Sequence, residues 1–163
     1  MKFLLLITVP LILLDQLTKW LVQVNIPYGA EVPVIPGFFS LVHVSNTGAA
    51  FSIFQGNNLF FIGLAVTALL VVLFWLVRDD LIKNREQKLH LGAKVALCLF
   101  AAGITGNLLD RILKGSVVDF LHFYIQQYAW PSFNVADSCI CIAAALFALM
   151  SFRRAQAAPQ KLP

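Results

Sequence analysis

The chain has 163 residues, of which 60% are hydrophobic and only 12% charged, with a mean hydropathy of +0.81. A soluble domain carries roughly 25% charged residues, so an ordinary water-soluble fold is excluded and an integral membrane protein of one domain, residues 1–163, is expected. The net charge of +4 comes from 12 Lys and Arg against 8 Asp and Glu; most of these bases flank apolar runs, which explains the excess without nucleic-acid binding.

Four apolar stretches approach the roughly 20 residues that a bilayer crossing needs. They run from about Phe3 to Val24, Leu59 to Val77, Lys94 to Leu113 and Asn134 to Phe152. The first has Lys2 ahead of an apolar run, like a signal peptide. Asp15-Gln16 stands where a small-residue cleavage site belongs, however, so it is read as a span. Pro10 lies within it and is expected to kink it. The connection from Asn25 to Asn58 has no Lys or Arg, whereas Lys2, the Arg78–Lys94 connection and the tail hold most of them. By the positive-inside rule both termini and the middle connection face the cytoplasm, and Asn25–Asn58 and Lys114–Phe133 face outward.

The first outward connection contains two candidate strands, Glu31-Val32-Pro33-Val34-Ile35-Pro36-Gly37 and Phe39-Ser40-Leu41-Val42-His43-Val44-Ser45, punctuated by proline and glycine. Asn46-Thr47-Gly48-Ala49-Ala50-Phe51 follows, and its small residues let backbone approach a ligand closely. The second outward connection carries Asp119 and then the aromatic Phe120-Leu121-His122-Phe123-Tyr124-Ile125, which reads as an interfacial amphipathic segment. The expected fold class is thus an all-α membrane protein: a four-transmembrane-helix bundle with a small extracytoplasmic β-sheet and that interfacial segment.

Depth organises the polar residues of the spans. Asp15 and Lys19 lie 13 and 17 residues beyond Lys2, Asn107, Asp110 and Arg111 lie 13, 16 and 17 beyond Lys94, and Asp137 lies 16 before Arg153. At about 1.5 Å per residue all fall roughly 20–26 Å up a hydrocarbon core about 30 Å thick. Three helices therefore place their rare polar residues in one layer beneath the outer surface, which suggests one site. Each pair also has a structural reading. Asp15 and Lys19 are an i, i+4 ion pair in the favourable order. Asn107 and Arg111 share a helix face that suits packing or carboxylate orientation. Asn134-x-x-Asp137 resembles a capping box with Asp in place of Glu. Asp119 has no such explanation, and a carboxylate near hydrocarbon is costly. If Asp119 and Asp137 converge, they form a dyad that shares a proton and activates water, as in aspartic peptidases.

Other chemistries have less support. His43, His90 and His122 are far apart, and there is no HExxH, CxxC pair or Gly-rich phosphate loop, so no metal or cofactor is expected. Cys98, Cys139 and Cys141 read as packing residues without a disulfide. Ser138 adjoins Asp137 but has no apparent base. A proton-coupled transporter would spread polar residues through the bilayer, and the inner halves of these spans are nearly devoid of them.

Asp15-Gln16-Leu17-Thr18-Lys19, Asn46 to Phe51, Gly103-Ile104-Thr105-Gly106-Asn107-Leu108-Leu109-Asp110-Arg111, Val118-Asp119-Phe120 and Phe133-Asn134-Val135-Ala136-Asp137 resemble, in order, the signature blocks of the lipoprotein signal peptidases, the bacterial signal peptidase II family. The resemblance implies an aspartic endopeptidase of the bacterial inner membrane. It would remove the signal peptide from prolipoproteins bearing a diacylglyceryl-cysteine, cutting just before that cysteine. Matched by motif, Asp119 and Asp137 are the catalytic pair, and Asp15, Lys19, Asn46, Gly48, Gly103, Asn107, Arg111 and Asn134 support the site. Ala102-Gly103 stands where the family often has Gly-Gly. The partners implied are the prolipoprotein and membrane lipids; a monomer without metal, cofactor or nucleic acid is expected. Because a lipid-bearing substrate must enter from the side, the interfacial segment and the Asn46–Phe51 loop are expected to gate the dyad.

Overall fold

The computed structural model describes residues 4–48, 56–84 and 87–157. Lys2, Arg85 and Lys161 of the orientation argument, and Ala49, Ala50 and Phe51 of the expected gate, lie outside these residues.

Among the described residues four helices are long and apolar enough to cross a membrane. Helix α1 spans Val9–Asn25 and is preceded by a π-helical turn, Leu4–Thr8. Pro10 lies within the continuous helical span Leu5–Asn25, in the first turn of α1 directly after the π-helical turn. Its missing N–H costs little there, and the widened turn upstream takes up the mismatch. Helix α2 spans Asn58–Leu81, α3 Leu91–Lys114 and α4 Val135–Ala157. The sequence-based ends of α2 and α3 fell short because counting stopped at charged residues, which do not break backbone hydrogen bonding. Asp79 is consequently inside α2 and buried, ion-paired with Lys94 of α3 at 2.8 Å and accepting from the Leu89 N–H at 2.6 Å.

Helix α3 is the hub, packing against α1, α2 and α4. Its buried face is built from Ala96, Cys98, Ala101, Ala102, Gly103 and Gly106, small residues that let helix backbones approach closely. Helix α2 is the opposite case: Leu59, Leu64, Leu70 and Phe74 are exposed along it. So much uncovered apolar surface calls for a hydrocarbon solvent.

Among the described residues four strands form one antiparallel sheet in the order β1-β2-β3-β4, namely Glu31–Ile35, Phe39–Asn46, Val117–Ile125 and Tyr128–Ala129. The aromatic stretch Phe120–Ile125 takes the form of a β-strand, β3, whose base, Val117–Phe120, is buried and whose far end, Ile125, is exposed. Helix α3 stops at Gly115, whose φ of 78° is the left-handed conformation glycine adopts freely, and β3 begins two residues later. Strand β3 pairs with β2 in the register Asn46↔Val117, Val44↔Asp119 and Phe39↔Phe123. Further along, the Phe133 carbonyl accepts from the Phe120 and Leu121 N–H groups at 3.0 and 2.8 Å, and the Phe133 N–H returns a bond to Leu121 O at 3.1 Å. This bridge sets the entry to α4 directly against β3, one residue before Asn134.

Candidate active site

Each polar side chain of the layer is delivered by a different local device. Asn134 and Asp137 open α4 as a reciprocal cap: the Asn134 N–H donates to Asp137 Oδ2 at 3.1 Å, and the Asp137 N–H donates to Asn134 Oδ1 at 2.9 Å. The capping reading and the site reading of this pair are compatible, because the cap leaves Asp137 Oδ1 and the Asn134 amide nitrogen free to turn inward. Asp119 comes from the buried base of β3, and Asn46 from the end of β2 beside it. Asn107, Asp110 and Arg111 come from the last turns of α3.

The two carboxylates named from sequence border one cleft of about 800 Å³, together with Asn46, Gly48, Asn107 and Arg111. Every carboxylate oxygen has a donor. Asp119 accepts from Asn46 Nδ2 at 3.0 Å and from Asn134 Nδ2 at 2.8 Å. Asp137 accepts from Asn107 Nδ2 at 2.7 Å and from the Asn134 N–H. The network also leaves each amide one orientation. Asn46 Oδ1 is taken by the Gly48 N–H at 2.9 Å, Asn134 Oδ1 by the Asp137 N–H, and Asn107 Oδ1 by Lys19 Nζ at 3.0 Å and Asn134 Nδ2 at 3.2 Å. With three amide oxygens occupied, three amide nitrogens must face the acids.

Burial and the neighbouring charge of Asp137 push the Asp119 carboxyl from its ordinary 3.8 up to about 7, against the opposing pull of the Asn46 and Asn134 hydrogen bonds and of Lys19. A carboxyl near 7 can hold a proton in neutral solution and give it up readily.

Behind the cleft lies a fully buried ionic cluster. Lys19 Nζ meets Asp15 Oδ2 at 2.8 Å and Asp110 Oδ2 at 2.9 Å, besides Asn107. Its three protons therefore have three acceptors. Asp15 Oδ1 also accepts from the Ala136 N–H at 2.8 Å, in the first turn of α4, and so ties α1 to that helix start. Asp110 is further paired with Lys114 at 3.0 Å. Removing one partner from such a buried set typically costs about 3–5 kcal/mol, because the others are left as uncompensated charges.

Arg111 flanks the cleft from the α2 side. Its Nη2 donates to Gly48 O at 2.7 Å, and its guanidinium lies 4.4 Å from the Phe61 ring centre. Gly103 is not in the cleft at all; it lies at the α3–α4 contact, where an added Cβ would collide with Ala136 O and come within 2.6 Å of Ile140 Cγ1.

Sequence reasoning did not single out Gln16, Gly106, Phe61 and Trp130. Gln16 Nε2 bridges Asp15 Oδ2 and Gly106 O, both at 3.1 Å. Gly106 faces Asp15, whose Oδ2 would be 2.6 Å from an added Cβ. The small-residue spacing Gly103-x-x-Gly106 was the available signal. Phe61 and Trp130 gave none, since an aromatic residue near a span end is ordinary. Among the described residues no group of three or more His, Cys, Asp or Glu side chains is placed to hold a metal ion.

The resemblance seen in the motifs extends along the chain. The signal peptidase (SPase) II family model matches residues 7–153. The lipoprotein signal peptidase of Symbiobacterium thermophilum is 41% identical over 138 residues, covering 85% of this chain and 86% of its own. That of Geobacter metallireducens is 40% identical over 152 residues, with 90% and 88% covered. A solved bacterial membrane enzyme, determined by the in meso method at 2.3 Å, superposes with a TM-score of 0.86 at 29% identity over 100% of this chain and 95% of its own. A second, at 1.9 Å, gives a TM-score of 0.78 at 31% identity, with 92% of both chains covered. With the sequence match spanning nearly all of the helices and strands that build the cleft, this chain belongs to the signal peptidase II family.

Proposed function

We propose that Asp119 and Asp137 are a catalytic aspartate dyad with which this signal peptidase removes signal peptides from lipoproteins. The observation that carries the reading is the pair's surroundings: two carboxylates border one cleft, and all four oxygens face donors. Two adjacent acids resist losing both protons, so the working dyad holds one. Asp137 is the ionised member, since its donors are a backbone N–H at a helix start and an amide fixed in place. Asp119 carries the proton, in keeping with its raised pKa. Asp137 takes a proton from water as the water oxygen bonds to the scissile carbonyl carbon, and Asp119 protonates the carbonyl oxygen. As the C–N bond breaks, Asp137 returns its proton to the leaving nitrogen and Asp119 recovers the one it lent. Cleavage falls just before the lipid-modified cysteine, whose acyl chains stay in lipid while the peptide bond enters the polar layer.

In this reading residues 1–163 are one domain that crosses the inner membrane four times as a monomer. Both termini are cytoplasmic and the cleft opens near the outer face. The exposed Ile125, Tyr128 and Trp130 at the β3–β4 end of the sheet suit the lipid interface. The transporter alternative is disfavoured by the concentration of buried polar groups around one cleft. Purified protein should release the signal peptide from a diacylglyceryl-modified prolipoprotein in detergent. Asp119→Asn and Asp137→Asn should each fold and yet lose turnover by at least about 10³-fold, as expected when a proton-transfer partner is removed. Near wild-type cleavage by either variant removes that residue from the dyad.

A further inference from the structure

Resting on the dyad reading, we infer that Lys19 is a positioning residue that acts through Asn107. By occupying Asn107 Oδ1 it fixes which end of that amide faces Asp137, and so assigns Asp137 the part of base.

An ammonium has three protons, and those of Lys19 go to Asp15, Asp110 and Asn107. Two formal negative charges already surround one positive charge, so the contact with a neutral amide is not needed to balance charge. Its effect is directional. Asn107 is a relay whose oxygen receives Lys19 at 3.0 Å and, at a longer 3.2 Å, Asn134 Nδ2, and whose nitrogen, 2.7 Å from Asp137 Oδ1, can only donate. Were the amide reversed, its nitrogen would face the Lys19 position and its oxygen a carboxylate, and that oxygen would favour a protonated Asp137 by accepting its proton. Lys19 is entirely buried, and it lies behind the cleft instead of lining it. It has no need to touch substrate; its charge also acts on Asp137 across space, and the contact through Asn107 is the part that gives that amide its direction.

Other charges face Asp137 and must be kept constant in a test. Asp15 lies on α1, Arg111 on α3 and Asp119 on β3. Asp110, also on α3, is neutralised by Lys19 and Lys114.

The pH dependence of kcat/KM separates the positioning role from a purely structural one. In Lys19→Met the acid limb, where Asp137 ionises, should move up by about one pH unit, so that kcat/KM at a pH on that limb falls about tenfold. A Lys19 that merely braces the bundle would lower thermal stability and the yield of folded protein while leaving the limb of the folded fraction in place; that result overturns the inference. The same change is then made in an Asn107→Ala background. If Lys19 acts through the amide, its effect on the limb largely disappears there. A shift of equal size in both backgrounds would show a through-space charge effect and would also overturn it. Should Lys19→Met not fold, Lys19→Met/Asp110→Asn removes the ammonium together with one carboxylate it neutralises, while Asp15 keeps its Ala136 and Gln16 donors. The double variant is read by the same two comparisons. Failure of the dyad reading itself would be recognised separately, by retained turnover in Asp137→Asn.

Discussion

Asp119 has an environment that favours its proposed role as proton donor over the stability of the fold. Its carboxyl titrates near 7 in the folded protein and near 3.8 in an unconstrained chain. Between those values the folded state holds a proton that the unfolded chain has released, so raising the pH through this window costs stability. Above it the penalty is complete, on the order of a few kcal/mol at most. Asp119→Asn cannot ionise, and its thermal midpoint should fall less steeply than that of the wild type between pH 4 and pH 7. In the wild type, kcat/KM should decline above about pH 7 as the proton donor is lost. A flat profile to pH 9 would assign the acid elsewhere. Much of this site could be read in the sequence because the chain has few charges: each intramembrane acid or amide was conspicuous, and helical rise put them at one depth. The choice of hydrogen-bond partners could not be read. That Asn134 serves both as the α4 cap and as a donor to Asp119 depends on contacts between residues brought together only by the fold.

At the scale of elements, the contact between α3 and α4 sets the placement of Asp137. Gly103 has no room for a methyl group, because the neighbouring Ala136 carbonyl is backbone and cannot swing aside. Gly103→Ala should therefore push the helices apart, destabilise the protein by about 1–3 kcal/mol and reduce turnover at least tenfold. Ala102, which is also buried, takes a side chain that Gly103 cannot; Ala102→Gly should cost no more than about 1 kcal/mol, the price of helix flexibility, and leave turnover within about threefold. Thermal denaturation and a cleavage assay on the same preparations check both. The helices were legible from length and hydropathy, and the first two strands from their Pro and Gly punctuation. Strand β3 was not. Its aromatic run suits a surface-lying segment equally well, and its partner β2 is more than 70 residues away, a pairing that no local pattern encodes.

For the whole molecule, orientation is the decisive expectation. A membrane-impermeant thiol reagent applied to intact spheroplasts should label a cysteine placed at Tyr28, at the exposed turn before β1, and should reach one at Lys83 only after lysis, in a background where Cys141 is replaced. The reverse pattern would put the cleft on the cytoplasmic side, away from exported substrates. The bridge between Phe133 and β3 also has a bearing on how such a molecule can diversify. It closes the 19-residue stretch from Asp119 to Asp137 into a clasp, with both acids anchored at its base and the turn at Gln126 and Gln127 at its free end. Chain length added at that end is taken up in solvent or headgroups, since a surface loop lengthens at little thermodynamic cost. A two-residue Gly-Ser insertion between Gln126 and Gln127 should therefore leave turnover within about threefold, whereas the same insertion between Phe133 and Asn134 should abolish it. The clasp separates a part of the chain where length is free to vary, and with it reach toward different membranes and cargoes, from a part where a single added residue would part the two acids.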